Sequence, residues 1–187
     1  MMLDAQEDSI RQQKKGVALT VEQRLDISLC KGGISVLIDR FFVRKSMTRT
    51  DLLFYYGFGF FLQLSDDLQD IESDSACGYQ TLLTEDLRCA SEEKIVNRML
   101  HFVHRIMSEY HAVNEPFKLF ILSNCIRLTI SSVFGSKVFF SKEYLERLEK
   151  FYPVSFSFVQ GMDRVNLDGV DKKSEDRYMK MLDAMIS

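Results

Sequence analysis

The sequence has little of the residue chemistry that makes turns, since its 187 residues include only 2 Pro and 9 Gly. An all-β sandwich would need more turn residues than this, so the scarcity argues against that class. Tryptophan is absent, and the 4 cysteines form no Cys-x-x-Cys pair and have no histidine cluster beside them. We therefore expect neither a zinc site nor a disulfide framework.

An excess of charge of one sign is also missing, because 24 basic and 27 acidic residues give a formal net charge of −3. This balance gives no reason to expect a nucleic-acid partner. Met1–Gln13 is polar and charged, with no apolar signal-peptide core. Leu52–Leu64 is the nearest candidate for a membrane span, but it is bracketed by acids and shorter than the roughly 18 apolar residues required. We expect a cytoplasmic protein with no integral membrane segment.

What the sequence does have is an apolar fraction of 46% in helix-like patterns, enough for a sizeable core. Thr20 and Gln23 form a capping-box pattern ahead of an apolar face that continues to about Val43. Further helices are expected from Thr48 or Thr50 to about Asp74, from near Ser91 to about Tyr110, from Pro116 to about Phe134, after Ser141, around Pro153 and at the carboxyl end. The sequence therefore predicts an all-α helical bundle that forms a single domain over residues 1–187.

Acidic residues follow an apolar stretch at the end of the second predicted helix. Asp66, Asp70 and Asp74 stand at i, i+4 and i+8, which places them on one helical stripe, and Asp67 lies beside them, turned by about 100°. Such a cluster is typical either of a solvated helix end or of a site for a hard cation. Aspartate oxygens are ligands that Mg²⁺ prefers, together with water and substrate phosphates. Both interpretations stay open on this pattern alone.

Three groups of residues resemble motifs of one enzyme family, in the family's order and at approximately its spacing. The pattern Gly-x-x-x-Gln-x-x-Asp-Asp-x-x-Asp resembles the second aspartate-rich motif of trans-polyprenyl diphosphate synthases. Lys31-Gly32-Gly33 is similar to the family's Lys-Thr-Gly/Ala element, and Gln6 is similar to its Gly-Gln element. The resemblance covers roughly residues 4 to 84, and the residues of the aspartate-rich pattern are Gly59, Gln63, Asp66, Asp67 and Asp70.

This resemblance implies an isoprenoid-synthase-like fold, and Mg²⁺-dependent binding or transfer of prenyl diphosphates in isoprenoid biosynthesis. Catalysis would rest on Asp66, Asp70 and Lys31, and the diphosphate would be bound by Lys31 and Gln63. The implied metal ligands are Asp66, Asp67, Asp70 and Asp74, and the implied substrate-pocket residues are Gln6, Gly59 and Phe60.

Two departures from the family pattern leave the activity open. The first aspartate-rich motif, which faces the second across the family's cavity, has no counterpart here, so the chain resembles the carboxy-terminal part of a synthase. The loop around Gly78 and Thr81 lacks the lysines of elongating synthases. The alternatives are a non-catalytic helical subunit that dimerises with or regulates a prenyl synthase, a terpene-cyclase-like variant, and a plain helical interaction module. A homo- or hetero-oligomer is expected, because helices lacking their usual neighbours would expose apolar surface.

Overall fold

The computed structural model describes residues 7–13, 18–84 and 89–158, and all regular structure within these ranges is helical. This confirms the predicted all-α class. The α-helices are α1 (Val21–Val43), α2 (Arg49–Gln69), α3 (Ile71–Cys77), α4 (Cys89–Glu109), α5 (Glu115–Gly135) and α6 (Lys142–Glu149). Two short 3₁₀ turns span Arg11–Gln13 and Lys137–Phe139.

Contacts divide the chain into two compact units, Met1–Tyr152 and Pro153–Ser187. Of the second unit, the structure describes residues 153–158, which include a short helical turn over 156–158. The terminal helix expected beyond this point lies outside the described residues.

Side-chain caps fix where the long helices begin. Thr20 and Gln23 form the predicted capping box, with Thr20 N donating to Gln23 Oε1 at 3.0 Å and Gln23 N donating to Thr20 Oγ1 at 3.3 Å. Thr48 and Asp51 form a second capping box at the start of α2. Because these bonds satisfy amide groups that lack helical partners, the chain enters α1 and α2 at defined residues. The predicted end of α1 at Val43 and the predicted caps at Thr48 and Ser141 are confirmed.

The second predicted helix was expected to run to about Asp74, and this is wrong, because the helix breaks at Asp70. Asp70 has φ −92° and ψ 2°, outside the helical region, and its carbonyl oxygen accepts a hydrogen bond from Ser73 Oγ at 2.9 Å. The backbone ladder nevertheless continues through the break, since Asp70 N donates to Asp66 O and Asp74 N donates to Asp70 O. The three acids Asp66, Asp70 and Asp74 therefore still follow one another on consecutive turns, although α2 ends between them.

The helix α2 packs against α1, α4 and α5, and its buried residues form the centre of the core. Phe61 and Leu68 are fully buried, and the carbonyl oxygen of Leu68 accepts a hydrogen bond from Ser136 Oγ at 2.9 Å. The principal partners from the other elements are Ile27, Ile71, Val96, Met99, Val103, Ile130 and Val133, all of them buried.

The closest approach in the fold is the crossing of α1 and α2. A Cβ built on Gly32 would overlap the carbonyl oxygen of Gly59, and one built on Gly59 would overlap the carbonyl oxygen of Gly32. A Cβ on Gly33 would lie 2.5 Å from a ring carbon of Tyr56. These glycines therefore allow α1 and α2 to pack closely, which explains why α1 tolerates two residues that weaken helices.

The helix α5 is, among the described residues, the one whose length and composition would suffice to cross a membrane. Its most apolar window has a mean hydropathy of 1.4, and 39% of that window is buried in the protein. The central helix of a globular protein can have the same length and apolar composition.

We expect Gly32→Ala and Gly59→Ala each to lower the free energy of unfolding by about 1–3 kcal/mol, because the added methyl group meets backbone atoms that cannot rotate away. Denaturant unfolding followed by circular dichroism measures this. The matched control is Gly135→Ala, where nothing lies within 4 Å of the added Cβ. Unchanged stability of Gly59→Ala would contradict the close contact of the two helices.

Candidate functional site

The acidic residues occupy three different environments around the break between α2 and α3. Asp66 and Asp70 are exposed, Asp74 on α3 is half-buried, and Asp67 is buried with 7% of its surface exposed. The burial of Asp67 follows from its place on α2, about 100° from Asp66. The cluster thus has two exposed carboxylates, one half-buried carboxylate and one buried carboxylate.

Asp67 has one satisfied and one unsatisfied carboxylate oxygen. Its Oδ1 accepts a hydrogen bond of 2.8 Å from Gln63 Nε2, one turn earlier on α2, and its Oδ2 is buried without a hydrogen-bond partner. Burial raises the pKa of Asp67 to about 6, against the lowering effects of the Gln63 hydrogen bond and the Lys31 charge. A buried, half-satisfied carboxylate favours a proton or a bound cation.

Lys31 belongs to this cluster although it lies on another helix. It is half-buried on α1, next to Gly32, and a Cβ on Gly32 would lie 2.8 Å from the Gln63 Cβ. Its positive charge lowers the pKa of both Asp67 and Asp74. Burial and then the Asp70 charge are the main causes that raise the pKa of Asp74. The crossing of α1 over α2 therefore brings the lysine of one motif to the acids of the other.

The residues predicted to line a substrate pocket have different positions. Gly59 is buried in the crossing with α1. Phe60 packs edge to face against Phe102 of α4 at a centroid distance of 5.8 Å, about 120° around α2 from Asp66. Gln6 lies outside the described residues.

The donor chemistry suits Mg²⁺, while the number of donors is small. Within the described parts of the chain, no group of three or more His, Cys, Asp or Glu side chains is arranged to hold a metal ion. Mg²⁺ is commonly bound through one or two carboxylates plus substrate phosphates, so the exposed oxygens of Asp66 and Asp70 fit that mode. The Oδ2 of Asp67 is buried and has no hydrogen-bond partner, so it is not one of these exposed donors.

Arg24 holds the loop that follows the acids, a structural role that sequence analysis missed. Its guanidinium donates to Leu19 O at 3.2 Å, to Thr81 O at 3.4 Å and to Gln80 Oε1 at 3.4 Å. Gln80 Oε1 also accepts from Leu19 N at 2.9 Å. No motif marks Arg24 in the sequence, since its loop partners Gln80 and Thr81 lie more than fifty residues away along the chain.

No family model, curated protein or solved structure matches this chain. The similarity to trans-polyprenyl diphosphate synthases therefore rests on the motif residues alone, and it stays a prediction.

We expect the stability of the protein to depend on the protonation of Asp67. The pKa of Asp67 in the folded state is about 6, above its ordinary value of 3.8, so the folded protein binds this proton more tightly than the unfolded chain. The resulting stabilisation is complete below the unfolded pKa and is lost as the pH rises through about 6. The free energy of unfolding relative to Asp67→Asn should fall by up to about 3 kcal/mol between about pH 4 and pH 7.

Urea unfolding in the presence of EDTA, repeated across this pH range, measures the difference. Glu72→Gln, an exposed neighbour on α3, is the control for a general change in charge. A difference between the wild type and Asp67→Asn that stays constant, or rises with pH, would contradict the burial of this carboxylate.

Proposed function

We propose that the chain binds prenyl diphosphates in a Mg²⁺-dependent manner, as part of isoprenoid biosynthesis. The observation that carries the proposal is the convergence of Lys31 from α1 with the acidic residues at the end of α2. A cation beside a carboxylate cluster is the arrangement that a metal–diphosphate complex requires, since the metal needs oxygen ligands and the diphosphate needs positive charge.

The roles of the side chains follow from their exposure and charge. Asp66 and Asp70 are the exposed carboxylates that would hold Mg²⁺ against the diphosphate. Lys31 is the ammonium group that would neutralise the remaining phosphate charge, and Gln63 orients Asp67 through its hydrogen bond of 2.8 Å. When bound, the metal ion would supply Lewis-acid stabilisation of a departing diphosphate. If the same site is catalytic, its reaction is transfer of the prenyl group.

Calorimetric titration of the purified chain with pyrophosphate, and then with farnesyl diphosphate, tests the proposal when each is run with and without Mg²⁺. We expect binding that requires Mg²⁺. Asp66→Asn and Asp70→Asn should each weaken it about tenfold or more, since loss of a residue that merely orients a metal ligand already costs about 10–100-fold.

The control variant is Glu72→Gln, which removes an exposed carboxylate of α3. It should bind as the wild type does. Mg²⁺-independent binding, or equal affinity in Asp66→Asn and the wild type, would contradict the proposed site. Complete absence of binding would favour the non-catalytic alternative.

The second candidate function is that of a helical subunit that works with another chain, and the exposed apolar residues favour it. Phe42 and Val43, which are neighbours at the end of α1, are 79% and 86% exposed. Large apolar side chains grouped on a surface are typical of an interaction site.

We expect sedimentation at micromolar concentrations to give species heavier than the 21.8 kDa monomer. The double variant Phe42→Ser with Val43→Ser should shift them toward the monomer, because it removes the apolar surface at the end of α1. Val138→Ser, an exposed apolar residue after α5, is the control. A wild type that sediments as a single monomeric species across this range would contradict self-association.

A further inference from the structure

A cavity of about 450 Å³ lies between the start of α1, the middle of α2 and the first half of α4. Its volume falls within the range of about 300–1,000 Å³ that is usual for small-molecule sites. Phe60 marks its position on α2, about 120° around the helix from Asp66. The cavity therefore opens on a different side of α2 from the acidic cluster.

The walls of this cavity are mainly apolar, and some of them remain open to solvent. Val21 and Leu25 of α1 are 46% and 39% exposed although both line it, while Leu64 and Met99 form its buried side. Exposed apolar side chains around a concave surface lose their contact with water when an aliphatic group fills the space. The shape and chemistry of the walls favour an aliphatic chain.

Positive charge lies at one rim of the same cavity. Lys94 and Arg98 are exposed on successive turns of α4, and neither forms an ion pair or a side-chain hydrogen bond with another described residue. A basic stripe on α4 consists of Lys94 and Arg98 together with His101 and Arg105, and all four lie within an arc of about 60°. An adjoining cavity of about 560 Å³ lies along them and shares Lys94, Arg98 and Phe102 with the first.

In the described part of the chain, two acidic groups near this stripe, Glu93 and Glu109, already have partners. Glu93, which lines the adjoining cavity, accepts hydrogen bonds from Ser141 N at 3.0 Å and from Ser141 Oγ at 2.5 Å. Glu109 pairs with Arg105 at 2.9 Å. Among the described residues of this stripe, Lys94 and Arg98 therefore remain available to an anion at the rim.

We propose that this cavity binds a single-chain anionic amphiphile, separate from the ligand of the acidic cluster. The aliphatic tail lies between Leu25, Phe60 and Met99, and a carboxylate or phosphate head group lies on Lys94 and Arg98. The concave apolar wall distinguishes this site from a basic surface that binds a membrane through charge alone, because such a surface needs no cavity. Binding at this site uses neither Asp66 nor Lys31, and it requires no metal ion.

Titration of the full chain with dodecyl phosphate and with dodecanoate tests the proposal, in EDTA and below the critical micelle concentration. We expect saturable binding with one molecule per chain. Shortening the tail should weaken it about fourfold for each methylene removed. Lys94→Gln with Arg98→Gln should weaken binding of dodecyl phosphate about tenfold or more, and should leave binding of dodecanol unchanged.

Two further variants distinguish binding in the cavity from binding elsewhere on the protein surface. Leu25→Trp fills the cavity from a partly exposed position, so it should abolish binding of the tail while leaving the unfolding transition close to that of the wild type. Lys142→Gln with Lys150→Gln removes the same charge at α6 and should bind as the wild type does.

Several results would overturn the proposal. Wild-type affinity in the Lys94/Arg98 double variant would mean that the head group lies elsewhere. Loss of dodecyl phosphate binding in Asp66→Asn would mean that the amphiphile occupies the acidic cluster. Binding to phosphatidylglycerol vesicles without binding to the monomeric amphiphiles would mean that charge, and not the cavity, recognises the lipid.

Discussion

The backbones of α1 and α2 touch at Gly32 and Gly59, and the position of every candidate diphosphate-binding residue depends on that contact. A side chain at either glycine would push the helices apart by the width of a methyl group. Lys31 would then lie farther from Asp67 and Asp74, and its effect on their pKa values would weaken with distance. The glycines weaken each helix locally, and the close packing that they allow is the structural gain.

The carboxylates at the end of α2 destabilise the protein locally, and the packing of the rest of the fold keeps them together. Asp66, Asp70 and Asp74 repel one another, and Asp67 is buried with one oxygen unpartnered. Folding keeps these carboxylates together because Phe61 and Leu68 anchor α2 in the core on either side of Gln63. Residues that oppose stability in this way are commonly found where a protein binds a charged ligand. Lys31 offsets part of the repulsion.

Sequence patterns predicted the helices well because caps and apolar periodicity are local. Thr20, Thr48 and Ser141 begin helices as expected, and Val43 ends α1. The break at Asp70 was missed because it depends on one residue's backbone angles and on a hydroxyl group three residues later. Likewise, the spacing of the aspartates predicted the acidic stripe. It could not predict the burial of Asp67, because that depends on how α2 packs against its neighbours.

Replacing Lys31 tests most directly whether α1 and α2 together form a diphosphate site. The measurement is the Mg²⁺-dependent affinity for pyrophosphate of Lys31→Gln, compared with Lys45→Gln, an exposed lysine beyond the end of α1. We predict a loss of about tenfold or more for Lys31→Gln, since charge-assisted hydrogen bonds to phosphate are the stronger ones, and wild-type affinity for Lys45→Gln. Equal affinities in the two variants would contradict a shared site, because the lysine would then be no part of it.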